Sequence, residues 1–429
     1  MDSIKIIIMK TIIYSTMMSF AILGTIACSN DENLPEEPKE ETPEYRYQDA
    51  KEITLTRTEE AVNEGLKDFS WNLFSQAYKI GNGENVLISP YSLEADLAVL
   101  LNGLKGSARQ ELLSVLGLSK YTQEEINTFF STMCTGIEEA DNMTQFCSNY
   151  SLWYNKRFNL NPSFSTLIGK DFGCDVFPVA FGEETTKAIN DWCSKKTFGR
   201  ISKMLDQTNN SELLHLINAV YFRSSWRDLF MAENTKEQSF TQQDGQKASV
   251  QMMKNTIWYR ATYESTPMYS STMLPFNNGA FGMFFVLPQE GVSMQETIHS
   301  ISSQMPRFNH LKPVEALEIS LPKFTTQNTC HLKEALSEMG AREIFSNPKD
   351  SKIFDNTEAC VNEILQKTFL SVNEEGAEAA AVTDINVVGA SETEPKIEHL
   401  VLNRPFLYGI IETSTGMPLF LGYYGNVEE

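Results

Sequence analysis

From Asn373 to Ser391 the chain reads NEEGAEAAAVTDINVVGAS, a run of small side chains not far from the final residue, Glu429. Sorted by parity, one set is Ala377, Ala379, Ala381, Thr383, Ile385 and Val387. The other is Glu378, Ala380, Val382, Asp384, Asn386 and Val388. The first set carries no charge. A strand with one buried face requires that alternation, because successive side chains point to opposite sides of a sheet. Alanine, glutamate and glycine are nonetheless poor strand formers, and Glu374 to Ala381 suits a surface helix followed by a loop equally well. On this stretch alone both readings stand.

A chain of 429 residues with 41% hydrophobic content can bury one large core or two smaller ones. Its formal net charge of −21 argues against a nucleic-acid or anionic-membrane surface. Past the N-terminus, no stretch approaches the roughly twenty apolar residues that span a bilayer. The N-terminus itself differs: Lys10 precedes TIIYSTMMSFAILGTIA, which ends in small residues directly before Cys28. This is the pattern of a secretory signal. Thr25-Ile26-Ala27-Cys28 resembles a bacterial lipoprotein signal, with Thr where Leu is usual, and predicts cleavage before Cys28 and lipidation of its thiol. A plain signal peptide is the alternative, and Met9 is an alternative start. SNDENLPEEPKEETPEYRYQDAKEITL follows, acidic, proline-containing and with little to bury, hence a solvated tether.

The expected division is therefore 1–27 signal, 28–55 lipidated cysteine and tether, and 56–429 a single folded domain. The expected location is the bacterial outer membrane, on its periplasmic or cell-surface face, with membrane contact only through Cys28. Cys134, Cys147, Cys174, Cys193, Cys330 and Cys360 show no CxxC or zinc-like spacing. Export permits disulfides among them, and buried free thiols fit as well.

Along the body, Val62, Leu66, Phe69, Leu73 and Ala77 recur at helical spacing. In NVLISPYSLEADLAVLLNGLKGSA, Ser89 is placed to cap a helix, Pro90 to begin it, and Leu93, Leu97, Leu100, Leu101 and Leu104 to line its buried stripe. Strands are expected in LLHLINAVYFRSSW, GMFFVLP, LEISLPKF, HLVLNRPFLYGIIET and MPLFLGYYG. Helices are expected in INDWCSKKTFGRISKML and LKEALSEMGAREIF. Helices first, then a strand-rich mixture with long connections, is the order of an α+β domain with large sheets.

Catalytic and metal motifs are absent. The five histidines, His215, His299, His310, His331 and His399, have no metal-ligand spacing. No G-x-S-x-G elbow, Walker loop or dinucleotide fingerprint occurs. The chain is expected to be no enzyme and to need no cofactor or metal.

Taken together, the blocks from about residue 56 to Glu429 resemble the serpin family. NVLISPYSLEADLAVLLNGLKGSARQELLSVLGL, INDWCSKKTFGRISKML, LINAVYFRSSWRDLF, LEISLPKF, LKEALSEMGAREIFS, NEEGAEAAAVT and LNRPFLYGIIETSTGMPLFLGYYGNV occur in the family's order. The resemblance implies an α+β serpin fold, with N-terminal helices packed on large mixed and antiparallel sheets and an exposed reactive-centre loop. It places Ser89, Ser92, Asn218, Trp226 and Gln366 in the region where the main sheet opens, and the hinge at Glu374, Gly376, Ala377, Ala379, Ala381 and Thr383. Gln366 stands where many members carry histidine, so the network with Ser89 and Asn218 would be an amide version.

The implied function is irreversible suicide-substrate inhibition of serine proteases, with cysteine proteases as a second class. The protease acylates itself on the loop, the cut loop enters the main sheet as a strand, and the tethered enzyme is dragged and distorted. A strand entering a packed sheet must present small or apolar groups to the buried face, as the first parity set does. The resemblance implies a cut some way beyond the hinge, which, counted from Glu374, falls between Ala390 and Ser391. Val387, Val388 and Gly389 before it suit a shallow, elastase-like pocket; the bonds after Val387 or Val388 are the alternatives, while Lys396, the obvious trypsin-like site, lies six residues further on, where the longer tether would weaken the distortion. The loop is a few residues longer than usual. The acidic stretch YTQEEINTFFSTMCTGIEEADN predicts no heparin-like activator, and the body is expected to be monomeric. A non-inhibitory binding or carrier serpin is the rival reading.

Overall fold

Thr56 begins the first helix by a reciprocal cap: its hydroxyl accepts from the Glu59 amide at 3.3 Å, and the Glu59 carboxylate accepts from the Thr56 amide at 2.8 Å. The helix spans Arg57–Gly81 and buries Val62, Leu66, Phe69 and Leu73, the stripe read from spacing. The computed structural model describes residues 48–304, 308–355, 358, 360–377 and 395–428, all within one compact unit.

Among the described residues the helices are α1 (Arg57–Gly81), α2 (Pro90–Gly103), α3 (Gly106–Val115), α4 (Gln123–Ala140), α5 (Pro162–Asp171), α6 (Glu183–Lys196), α7 (Met294–Gln304), α8 (Leu332–Met339) and α9 (Glu343–Ser346). The strands are β1 (Val86–Ile88), β2 (Gln145–Asn155), β3 (Asp175–Val179), β4 (Leu214–Ser225), β5 (Lys236–Thr241), β6 (Lys247–Trp258), β7 (Glu264–Ser265) and β8 (Tyr269–Pro275). They continue with β9 (Phe281–Pro288), β10 (Ala316–Pro322), β11 (Phe324–His331), β12 (Glu363–Val372), β13 (Gly376–Ala377), β14 (Ile397–Val401), β15 (Phe406–Glu412) and β16 (Pro418–Tyr424).

Three sheets result, in the orders β11-β12-β13-β4-β2-β3, β1-β16-β15-β9-β8-β7 and β14-β10-β6-β5. The first is the main sheet. Along β4, Leu214, Leu216, Val220 and Phe222 join the large core shared with α2 and β16, whereas Ile217 and Ala219 join a smaller cluster with Ile189, Trp192 and Ile201. The main sheet is thus covered on both faces, by α2 behind and by α6 in front. No described helix is long and apolar enough to cross a membrane.

Five expectations are corrected. Ser89 occupies the N-cap of α2 but makes no capping bond, because its hydroxyl instead donates to the Leu419 carbonyl at 2.6 Å. INDWCSKKTFGRISKML is helical only to Lys196, since Phe198 and Gly199 take positive φ of 52° and 82°. LEISLPKF is two strands meeting at Lys323, and HLVLNRPFLYGIIET is two strands in different sheets. LKEALSEMGAREIF breaks at Gly340, which closes α8 with φ 113°. The six body cysteines are free thiols. Burial pushes the Cys193 and Cys330 thiols up to about 12, so both stay protonated and unreactive.

Candidate functional site

The central pair of the main sheet is parallel, running from Glu363 opposite His215 to Phe369 opposite Tyr221. Beyond Phe369 the two strands part, and β13 lies between them: Ala377 pairs with Val372 on one side and Ser224 on the other, and Gly376 pairs with Ser225. The seam is closed below and wedged open above.

Asn373 turns the chain into the wedge. Its side-chain oxygen accepts from the Glu375 and Gly376 amides at 2.9 and 3.2 Å. Gly376 has φ +150°, and a Cβ there would lie 2.1 Å from the Ser224 carbonyl oxygen, so only glycine fits. Three successive carbonyls are then clamped. The Trp226 indole donates to Asn373 O at 2.9 Å, the Phe230 amide to Glu374 O at 3.0 Å, and the Trp226 amide to Glu375 O at 2.8 Å. Trp226 is itself fixed, stacked on Phe276 with centroids 4.6 Å apart. The Glu374 carboxylate accepts from Lys323 at 2.9 Å and Thr235 at 2.8 Å. Burial opposes its charge, yet these partners hold its pKa below the ordinary value. Ala377 is fully buried and faces the large core, the side to which its parity set was assigned.

Lower in the seam, the structure brings Ser89, Ser92, Asn218 and Gln366 together, all buried. The Gln366 amide accepts from Ser89 N at 2.7 Å, and donates to Ser89 O at 2.9 Å and to Asn218 Oδ1 at 3.2 Å. Ser92 donates to the same Asn218 oxygen at 2.9 Å and bonds Ser148. The Asn218 Nδ2 has no partner among the described residues. An unpaired buried amide donor costs about 1–3 kcal/mol.

At the foot of the seam His215 Nε2 lies 3.1 Å from Glu212. Burial draws the His215 pKa below its ordinary value, against the pull of Glu212 and Glu363. No group of three metal-ligating side chains occurs among the described residues.

Sequence reasoning missed several participants. Lys323, Thr235, Phe230 and Phe276 carry no local signal, because each arrives from a distant element. Asn373, an asparagine two residues before a Glu-Gly pair, was legible as a turn former. Glu94 and Asp96 were legible too, as acids inside an otherwise apolar helix. Both are fully buried, with Glu94 Oε2 and both Asp96 oxygens unpartnered among the described residues. Burial pushes Glu94 up to about 8, against a 2.7 Å bond donated by Ser70, and raises Asp96 as well. Ala379, Ala381, Thr383, Val387, Val388, Gly389, Ala390, Ser391 and Cys28 lie outside the described residues.

A closed parallel seam, a glycine-pivoted segment wedged into its upper end and a buried serine–amide network beneath it make up the centre of the main sheet. A family model described as Serpin (serine protease inhibitor) matches residues 64–427, and the chain belongs to the serpin family. That family is one of protease inhibitors rather than catalysts. Intracellular coagulation inhibitor 2 of Tachypleus tridentatus is 29% identical over 376 residues, covering 85% of this chain and 91% of that protein. Human neuroserpin is 28% identical over 375 residues, covering 84% and 90%. Among solved structures, the native thermophilic serpin tengpin matches with a TM-score of 0.78 at 27% identity, covering 89% of this chain and 98% of that one. Human thyroxine-binding globulin matches with a TM-score of 0.78 at 22% identity, covering 87% and 100%, a likeness of fold alone.

Proposed function

We propose that this protein is an irreversible suicide-substrate inhibitor of serine proteases, elastase-like enzymes first, cut between Ala390 and Ser391 and then inserting its loop into the seam. The register around β13 carries the reading. Gly376 lies opposite Ser225, so on insertion in the same register Thr383, seven residues further on, would fall opposite Asn218, seven residues back along β4. From the other flank Ala377 lies opposite Val372, so six residues on, Thr383 again falls opposite Gln366. The two registers agree with each other, so insertion in this register would need no slip of the seam. Thr383 belongs to the uncharged parity set facing the core, and its hydroxyl would meet the unpaired Asn218 Nδ2 there.

Insertion supplies the driving force: new ladder bonds, new burial and one orphaned donor satisfied. The inhibitor needs no nucleophile of its own, because the covalent bond is made by the protease. Helix α4, with Glu124, Glu125, Glu138 and Glu139 and no lysine or arginine, gives a sulfated polysaccharide nothing to bind, so no such activation is expected. Export, lipidation at Cys28 and anchoring to a bacterial outer membrane complete the proposal, on the strength of the N-terminal sequence.

The test is to mix the purified body with elastase-like and trypsin-like proteases and look for a covalent, denaturant-resistant complex. Complex formation, with release of a fragment beginning at Ser391, supports the proposal. If every protease cuts the loop and leaves fully active, the inhibitory reading fails and the carrier reading takes its place. A fragment beginning at Ile397 would move the reactive bond to Lys396.

A further inference from the structure

At the foot of the main seam a buried imidazole stands between two strands that have to part. His215 on β4 and Glu363 on β12 are register partners, and two residues further on, on the same face, Ile217 and Leu365 join the small cluster under α6. His215 is 5% exposed, and neither ring nitrogen makes a hydrogen bond among the described residues. Its Nε2 lies 3.1 Å from Glu212 but out of line for one. Glu363 Oε1 is buried and equally unpartnered among those residues. Polar groups left in this state cost stability, and histidine is the side chain whose ordinary titration falls near neutral pH.

The charged groups facing this imidazole come from four directions. The stretch before β4 gives Glu212, and β12 gives Glu363 and, further up, Lys367, whose amine donates to the Lys203 carbonyl. The stretch after α6 gives Lys203 and Asp206, paired with each other. From β11 comes His331, exposed and 3.6 Å from Glu363. On the remaining sides stand uncharged rings, Trp153 opposite His215 on β2 and Phe181 with its centroid 5.0 Å away. A cleft of about 790 Å³ lined by Glu212, His215, His331, Glu363 and Lys367 borders the group, so solvent protons have a short path to it.

Burial outweighs the pull of the two carboxylates and keeps the imidazole of the closed seam neutral. Hydration removes that penalty, so the ring binds a proton more readily once the foot has opened. The support that the neutral ring gives the closed seam is therefore complete above its ordinary value of 6.5 and is lost as pH falls below it. In the register proposed above, the entering strand meets Asn218 and Gln366 at Thr383 and three residues later would pass between His215 and Glu363. Full insertion requires that pair to separate.

We propose that the foot of the main seam is an acid-sensitive release, in which His215 takes up a proton below neutral pH and the charged ring eases β4 from β12, speeding loop insertion. The inference rests on the inhibitory reading above and adds to it a response to the acidity of the surroundings.

Two measurements test it on the intact protein, His215→Gln and His331→Gln. The first needs no protease: hydrogen exchange of segments 213–218 and 362–367 at pH 5.5 and 7.5, each corrected for the intrinsic rate. Exchange of the unaltered protein should quicken at least about threefold in acid, that of His215→Gln should not, and His331→Gln should follow the unaltered protein. The second is the ratio of trapped to cleaved inhibitor at both pH values, with each variant compared with the unaltered protein so that the protease's own pH dependence cancels. From pH 7.5 to 5.5 the unaltered protein should gain at least about threefold over His215→Gln. An unchanged comparison would overturn the proposal. So would slower exchange or poorer trapping in acid, which would mean that the charged ring holds Glu363 rather than leaving it, or a response carried by His331. If His215→Gln does not fold, Glu212→Gln takes its place, and loss of one attracting carboxylate should carry the acid response of the first measurement to lower pH. If no protease is trapped at either pH while the foot still loosens in acid, the inhibitory reading fails and the release stands.

Discussion

The two six-stranded sheets use similar residues to opposite ends. In the sheet built on β9, β15 and β16, every residue of those strands is buried, and every pairing is antiparallel. Phe324, Phe406 and Tyr424 interlock across its face at centroid distances of 4.8 to 5.9 Å. Its buried carboxylate, Glu412, accepts from the amides and hydroxyls of Ser414 and Thr415, which close the β15–β16 hairpin. In the main sheet the central pair is parallel and joins residues far apart in the chain, with serines and amides beneath it and one amide donor unpaired. The difference lies in strand direction and in what packs against the strands: antiparallel pairs under interlocked aromatic rings in one sheet, a parallel pair over a serine–amide network in the other. On the proposed function, the seam over that network is where the strand enters.

The largest expected effect of this difference is on stability after a cut. Cleavage between Ala390 and Ser391 should raise the thermal midpoint by roughly 20–40 °C. On the order of ten new ladder bonds at about 1 kcal/mol each, with about 2–4 °C per kcal/mol, gives that range. A cut in the hairpin at Ser414 should lower the midpoint instead. Calorimetry of both nicked forms checks the pair, and a loop-cut form no more stable than the intact one would remove the contrast.

Next in size is the effect of charge on the entering face. Ala377→Arg puts an unpaired charge into a fully buried position, at a cost of several kcal/mol. Complex yield should fall about 100-fold or more while loop cutting continues, read from the ratio of trapped to cleaved inhibitor on a denaturing gel. Gly409→Val, where a Cβ would meet Phe284 and the Phe420 carbonyl at 2.5 Å, should instead destabilise intact and cleaved forms alike.

The buried acids under the main sheet give a pH dependence. Glu94 titrates near 8 in the folded state, above its unfolded value, so folding takes up a proton between the two. Its stabilising contribution is complete below the unfolded value, near 4.5, and is lost as pH rises through about 8, on the order of a few kcal/mol. Urea unfolding of the intact protein should give a lower midpoint at pH 8.5 than at pH 5, and Glu94→Gln should flatten that slope. A midpoint that rises over this interval would contradict the assignment.

A smaller effect is expected at the centre of the seam. Gln366→Ala strips partners from both backbone groups of Ser89 and should cost about 2–3 kcal/mol in the uncut form. After cleavage the loss should be smaller if Thr383 then bridges the gap. Equal losses in the two forms would argue that the network does not change on insertion.

Much of this contrast was legible in the sequence, for reasons that differ by residue. The stripe of α1 was visible because its spacing is local, and the face of Ala377 because strand parity is a period of two. Ser89 was misjudged because a cap is a local inference, and its hydroxyl is claimed by Leu419, which is distant in the chain. The end of α6 was misjudged because positive φ at Phe198 has no compositional signal. The carbonyl clamp by Trp226 and Phe230 and the Lys323–Glu374 pair arise only when separate strands converge. Period-two alternation was legible in the residues and the hinge positions came from the family resemblance, whereas the contacts around Glu374 and Gly376 had to come from the fold.

The central claim is that the β12–β4 seam opens to admit the loop, and a lock across it tests that claim most directly. Thr368 and Val220 are register partners in the closed seam. Parallel neighbours about 4.8 Å apart fall within the range a disulfide spans. In Thr368→Cys/Val220→Cys the oxidised protein should be cut by the protease as a plain substrate and trap none of it, and reduction should restore the denaturant-resistant complex. An oxidised, verified cross-link that still traps the protease at the full yield would contradict the account.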